Sequence, residues 1–362
     1  MAATCKRIID LSNHQARGLQ KFDSPGQIVM HMSRKSLYWA AATSAAVLLT
    51  AAAAASGADL NRPADVDAIT AIEGQLAKVN TMKELIQYYA PDAIVYDAYA
   101  PGVFRGTKRI FNGFEQQFAL GQSFTGAIPD MNILSDGKFA CAAMQVHFDY
   151  ALKSGTKGTI TMRQLDAFKK IGGKWLIVQQ HISFPMDPKT GMGLLDSPMP
   201  VRGALAWNRK SFAGPAVAPA QAKNEVRSWL DAGVLSRNLD ELMSYYGPTD
   251  DIIVYDMLYP PGEFRGMKEV RDGFAPVMNY TDPQVKMLDF VVDSDGVFAV
   301  QIDAQDITVT QKDGTKSNFL LRQSDCMRRM DGKWYSVFEA ISVPVDGKTG
   351  KSVTKPSAIA FD

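Results

Sequence analysis

Residues 162–191 read MRQLDAFKKIGGKWLIVQQHISFPMDPKTG, and residues 321–350 read LRQSDCMRRMDGKWYSVFEAISVPVDGKTG. Fourteen of these 30 positions are identical without a gap, at a spacing of 159 residues. Upstream, KELIQYYAPDAIVYDAYAPGVFRGTKRIFNGF (83–114) is answered by DELMSYYGPTDDIIVYDMLYPPGEFRGMKEVRDGF (240–274) with small gaps near the loops. A period this long exceeds any solenoid unit, so the chain carries two copies of a whole domain.

The order of elements is the same in both copies. Apolar residues recur at helical spacing over 65–79 and 220–235, with a second short helix at 82–89 and 239–246. The β-branched runs AIVYD and IIVYD end at loops with Pro and Gly and read as strands; 107–118 and 267–277 predict a third helix. Three long alternating runs follow, at 138–151, 157–170 and 174–184, with equivalents at 297–311, 315–330 and 333–343. Turn signals such as SGTKG, KDGTK, IGGK and MDGK separate them. Helices first and a strand meander after them is an α+β pattern with helices on one face of a curved sheet. The turns PMDPKTG and PVDGKTG carry no visible chemistry.

The ends set the domain limits. Residues 32–58 hold two basic residues, an apolar stretch and small residues before Asp59, the layout of a secretory signal peptide. Residues 1–58 are therefore read as leader and signal peptide, 59–196 as the first domain, 197–218 as a Pro/Ala/Gly-rich linker and 219–362 as the second domain. Trp207 and Phe212 suggest a linker that packs down on a domain. The expected location is periplasmic or secreted, with no membrane association of the mature form. Without residues 1–58 the chain keeps 33 Lys+Arg against 36 Asp+Glu. It has no basic run, which argues against a nucleic-acid partner. About 300 residues suffice for two cores. Cys141 and Cys326 occupy non-equivalent positions of the repeats, which favours two buried thiols over a disulfide.

Helix, helix, a strand ending in VYD, a loop with FRG, a helix, then long strands closing on GKW and H.S.P resembles the SnoaL-like branch of the nuclear transport factor 2-like superfamily, to which ketosteroid isomerase belongs. The resemblance covers both repeats and implies two tandem cone-shaped domains, each with a small-molecule pocket on the concave face of its sheet. The superfamily hosts isomerases, lyases, hydrolases, binders and assembly modules, so the fold alone does not choose a function.

Candidate site residues follow from the resemblance and from strand alternation. Asp97 and Asp256 end the VYD strands at a position similar to the isomerases' base, where partial desolvation lifts a carboxylate toward useful basicity. Arg163 and Arg322 are similar in register to the isomerases' oxyanion-stabilising acid; a cation there points to an anionic ligand or to an ion pair with Asp97. On one strand Gln145, His147 and Asp149 share a face; on the last, Trp175, Ile177, Gln179, His181 and Ser183 share one. The expectation is that Asp97, Arg163, His147 and His181 converge as catalytic residues in the first cone. Tyr99, Gln145, Ser183, Asp256, Asp306, Arg322 and Ser342 are expected to bind substrate in the two pockets. The second copy has Asp306 for His147 and Ala340 for His181, so the sheet does not require either histidine. No cofactor is implied, and two histidines beside an arginine do not make a compact metal motif.

Two readings fit. One is an exported enzyme of the isomerase, lyase or hydrolase kind acting on a small apolar carbonyl or carboxylate compound. The other is a non-catalytic binding or scaffold protein whose fused pair mimics a homodimer, through intramolecular domain pairing or a further homodimer.

Overall fold

The computed structural model describes residues 60–355 apart from 100–101, 198–199, 206–214, 237 and 258–261. The leader and signal-peptide reading, and the packing expected of Trp207 and Phe212, lie outside the described residues.

The first repeat opens with α1 (Pro63–Leu76), started by a proline at the first turn, and α2 (Met82–Leu85). Thr81 caps α2, its hydroxyl accepting from the Glu84 amide at 3.3 Å, which satisfies a donor the helix cannot pair internally. Then come β1 (Tyr89–Tyr96), β2 (Val103–Arg105), α3 (Gly106–Leu120), β3 (Gly121–Ser135), β4 (Phe139–Leu152), β5 (Lys157–Ile171) and β6 (Lys174–Ser183). The second repeat answers with α4 (Pro219–Val234), α5 (Leu239–Met243), β7 (Ile253–Tyr255), β8 (Glu263–Arg265), α6 (Gly266–Phe274), β9 (Thr281–Ser294), β10 (Phe298–Thr310), β11 (Lys316–Met330) and β12 (Lys333–Ser342). Asn238 caps α5 as Thr81 caps α2.

Each repeat is a six-stranded sheet, in the orders β2-β1-β6-β5-β4-β3 and β8-β7-β12-β11-β10-β9. The first strand runs parallel to the last, and the remaining pairs are antiparallel. These are two tandem α+β domains, as expected. Strands β3 and β9 escape the sequence reading, which finds three long strands where four exist. Both are edge strands, and Pro129 and Gly126 interrupt the alternation of β3 beside a register shift between Ala127 and Asp130; prolines in sheets are confined to such positions.

Each sheet has two faces with different duties. One packs on the repeat's own helices: Ile69, Ile110, Phe114, Met144, Phe168 and Trp175 belong to the first core. The opposite faces bury Leu134, Cys141, Leu165 and Ala167 of the first repeat in one cluster with Tyr255, Val300, Cys326 and Phe338 of the second. Phe139 stacks on its counterpart Phe298 at 6.2 Å between ring centres. Sheet packs on sheet through these faces, as in a sandwich.

Cys141 and Cys326 form a disulfide across this seam, with Cα atoms 6.3 Å apart. The expectation of two free thiols is corrected: positions that are non-equivalent within the repeat unit become neighbours when two copies pack face to face. The turns after β6 and β12 also have a duty the sequence reading missed. They exchange. Met186 of the first repeat packs in the second core and Val345 of the second in the first. The Met186 amide donates to the Met257 carbonyl and the Val345 amide to the Ala98 carbonyl, both at 2.8 Å.

Candidate functional site: an acid-lined cone and a separate histidine seam

The first cone encloses a cavity of about 190 Å³ between α1, α3 and the concave sheet face. Its wall is mostly apolar, with Phe114, Phe118, Val146, Phe148, Ile160 and Met162 among the lining residues. Asp97 enters it from the end of β1. The Asp97 amide donates to the Gly102 carbonyl at 2.8 Å, closing the loop that fixes the carboxylate, and Gly102 supplies the positive φ of 71° the loop needs. Gln117 of α3 donates to Asp97 Oδ2 at 2.8 Å. Burial pushes the Asp97 carboxyl up to about 6, against the opposing pull of the Arg322 charge and the Gln117 hydrogen bond.

A second polar network, not apparent from the sequence, borders the same cavity. Glu73 of α1, Tyr89, Gln164 and Gln180 line the cavity. Tyr89 donates to Gln180 Oε1 at 2.7 Å; Gln180 and Gln164 each donate to Asp166 Oδ2 at 2.9 Å. Glu73 Oε1 and Asp166 Oδ1 find no N–H or hydroxyl donor. The two carboxyl groups lie close enough to interact, so that ionising one disfavours ionising the other. Burial and the Asp166 charge hold Glu73 well above the usual carboxylate range, and burial lifts Asp166 to about 7. The recurring RQ.D of both repeats, which supplies Gln164 with Asp166 and Gln323 with Asp325, is the signal that could have marked this wall.

Of the residues expected in the pockets, Asp97 and Tyr99 line the first cavity and Asp256 the second. The others do not converge there. On β4 the cavity takes Val146, Phe148 and Tyr150, so Gln145 and His147 face away. His147 is half-exposed and meets Thr161 Oγ1 at 3.0 Å; Gln145 donates to Glu263 Oε2 at 2.8 Å across the seam. Its equivalent Asp306 likewise lies outside the second cavity. The error on β4 came from assigning polar residues to the pocket, whereas the pocket wall is apolar.

On β6 the cause is a bulge. Ala167 pairs with Gln179 and Phe168 with Ile177, which leaves Val178 as the extra residue. Beyond a bulge the alternation restarts on the other face. Trp175, Ile177, Gln180 and Ile182 therefore share the cone, while Gln179, His181 and Ser183 turn to the seam. Arg163, Arg322 and Ser342 turn there too.

At the seam these residues form a reciprocal lock. Arg163 Nη1 donates to the carbonyls of Asp256 and Gly262 of the second repeat. Arg322 Nη1 donates to those of Asp97, at 2.6 Å, and Gly102, at 3.2 Å, of the first. The arginine of each FRG also crosses: Arg105 pairs with Asp289 and Arg265 with Asp130.

His181 breaks the symmetry. Its Nδ1 lies 2.9 Å from Ser324 Oγ and its Nε2 2.6 Å from Ser342 Oγ. Ser342 Oγ already accepts from Arg322 Nε and Nη2, so its own proton goes to Nε2, and we assign the Nδ1–H tautomer, which donates to Ser324. Burial, then the Arg322 and Arg163 charges, hold this imidazole well below the usual histidine value. The unfolded chain therefore takes up a proton below about pH 6.5 that the folded chain refuses, and stability falls as pH drops through that value. Denaturation curves of the wild type and His181→Asn between pH 5 and 8 isolate the effect, because the buried carboxyls contribute alike to both. The wild-type advantage should shrink on acidification; an advantage independent of pH contradicts a neutral, proton-refusing His181.

Among the described residues no group of three or more His, Cys, Asp or Glu side chains is arranged to hold a metal ion. No helix among the described residues is long and apolar enough to cross a membrane.

Comparison with known proteins agrees with this architecture. A SnoaL-like domain model matches residues 73–187 and again 223–346, together more than half of the chain. No curated protein matches. Among solved structures, a nuclear transport factor 2-like protein of Pseudomonas putida KT2440 is 20% identical, with 38% of this chain and 98% of that one covered and a TM-score of 0.33. A nuclear transport factor 2-like superfamily protein of Salmonella enterica serovar Typhimurium is 15% identical, covering 37% and 99%, with a TM-score of 0.33. With one model matching each repeat, the chain belongs to the SnoaL-like domain family, in two tandem copies.

Proposed function

We propose that the first cone binds a small, uncharged and largely apolar molecule carrying a carbonyl group, and moves a proton on it. The observation that carries this is that one apolar cavity is lined by two carboxyls in different environments, Asp97, lifted to about 6, and Glu73, held well above the usual carboxylate range by burial and the Asp166 charge. Two carboxyls whose environments separate their roles in this way suit a base and an acid. Asp97 would take a proton from carbon beside the carbonyl, and Glu73, whose surroundings favour its protonated form, would hydrogen-bond the oxygen on which charge develops. An anionic substrate fits less well, because Arg163 and both histidines lie elsewhere and, among the described residues, no Lys, Arg or His lines the cavity. Export fits this reading: the leader over residues 32–58 predicts it, and the Cys141–Cys326 disulfide supports it, since such bonds persist in oxidising compartments.

The test is hydrogen–deuterium exchange next to the carbonyl in a panel of apolar cyclic ketones, followed by nuclear magnetic resonance. Asp97→Asn should slow the exchange by a factor on the order of 10²–10⁴. Glu73→Gln should lower it while leaving binding in place. For the wild type, the rate should rise with pH through about 6, as Asp97 ionises. Exchange unaffected by Asp97→Asn removes the base assignment; binding without exchange for any ketone leaves a ligand-binding protein.

A further inference from the structure

The second cone is not a faded copy of the first. The caps Thr81 and Asn238 and the tyrosines Tyr89 and Tyr246 align the helical segments at a spacing of 157, which places Leu230 where the first repeat has Glu73. The lost acid returns elsewhere, because Glu339 stands where the first repeat has Gln180. Tyr246 hydrogen-bonds Glu339 as Tyr89 does Gln180.

The wall behind Glu339 has also changed character. Gln301, Asp303 and Gln305 of β10 replace Ala142, Met144 and Val146. Asp303 is the cross-strand neighbour of Gln323, and Gln305 of Leu321; both of those partners line a cavity of about 330 Å³.

This wall accepts more hydrogen bonds than it is offered. Glu339 is 2% exposed and lines the cavity, and its Oε2 has no partner; burial and the Asp325 charge hold its carboxyl well above the usual range, a shift that a docked cation would oppose. Gln301 and Gln305 are fully buried, and the Oε1 of each is unpaired; the Gln305 amide nitrogen is spent on Asp303 Oδ1 at 2.8 Å. Buried polar atoms left unpaired cost free energy, and Glu339 Oε2 together with Gln301 Oε1, Asp303 Oδ2 and Gln305 Oε1 behind it make four that ask for a donor. Among the described residues the charged ones lining the cavity are Asp256, Asp282 and Glu339, with no Lys, Arg or His. Phe274, Phe319 and Tyr246 provide rings and Leu242 and Ile341 apolar surface around them.

We propose that the second cone is a binding site for an amphipathic cation, a primary amine on an apolar body, whose ammonium docks on Glu339 before the acceptor-rich wall of β10. An ammonium brings three donors to unpaired acceptors and is further stabilised by aromatic faces. Its apolar body fills the rest of the cavity. The two repeats thus divide the work, one cone taking a neutral carbonyl compound and the other an amine. The second site does not depend on the chemistry proposed for the first.

Isothermal titration of the whole chain with 2-phenylethylamine, 2-phenylethanol and phenylacetate tests this. The amine should bind at least ten-fold more tightly than the alcohol, and phenylacetate should not bind. Glu339→Gln, which installs the first repeat's residue, should weaken the amine at least ten-fold while leaving the alcohol unchanged. Gln305→Val, likewise borrowed from the first repeat, should weaken it several-fold and serves if the first variant does not fold. Equal affinity for amine and alcohol, no saturable amine binding, or amine binding indifferent to both substitutions overturns the proposal.

Discussion

Arg322→Ala should cost the folded protein about 4 kcal/mol, visible as a fall in the urea midpoint, because it strips a buried guanidinium from several acceptors at once. The side chain is fully buried, bonds the Asp97 and Gly102 carbonyls of the other repeat and bonds Ser342 twice. Its removal leaves those carbonyls facing a void, and hydrogen bonds to a charged group are worth about 1.5–3 kcal/mol each, with overlap among them. Arg322→Lys should recover part of the loss, since a single ammonium cannot reproduce the planar fork. The same substitution reaches the chemistry of the first cone. The Arg322 charge holds the Asp97 carboxyl down against burial, so in Arg322→Ala the pH at which the proposed exchange rises should move upward. A surface-like loss below 1 kcal/mol, or an unmoved pH profile, contradicts this account of the seam.

The second large effect is expected from the disulfide. Cys141 and Cys326 are 185 residues apart, and closing so long a loop restricts the unfolded chain by about 5 kcal/mol in the chain-entropy estimate. The fold itself suggests the substitution that removes the bond with least disturbance. Val300 and Ala167, the repeat equivalents of Cys141 and Cys326, share the same buried cluster. Cys141→Val with Cys326→Ala should therefore fold, with a thermal midpoint well below that of the oxidised wild type and insensitive to dithiothreitol. The reduced wild type should fall to the variant's level. No difference between oxidised and reduced wild type would show that the bond contributes nothing.

Much of the fold could be read from the chain because duplication tests each element twice: GKW, FRG and VYD each recur at equivalent places. The strand-end aspartates were found for the same reason. The faces of β6 turn on one physical feature. A single extra residue at Val178 reverses the faces of β6, and nothing in GKWLIVQQHISFP marks it, since Val, Gln and Ile fit either face. Glu73 was missed because α1 reads as an ordinary helix, and an acid on its buried side becomes meaningful only once Asp166 is opposite. Arg163 and Arg322 were recognised as buried cations, but their partners are backbone carbonyls of the other repeat, which no side-chain pattern reveals.

The histidine seam bears on partner choice. His181 of the first repeat faces Ser324 of the second; at the mirrored position Ala340 belongs to the same apolar cluster as Leu165. If two first repeats from different chains met through this face, each His181 would confront a Leu165 and lose a hydrogen-bond partner in a buried place. Two second repeats would set Ser324 against Ala340, with no imidazole to bond. Only unlike halves give His181 its Ser324 partner, so the two positions that differ, 181/340 and 165/324, disfavour self-pairing, as repulsive features do in specific interfaces. A duplicated chain that kept identical faces would have no such preference and could string together through strand after strand of neighbouring molecules. Exchanging one histidine and one serine for an alanine and a leucine gives the pair a left and a right.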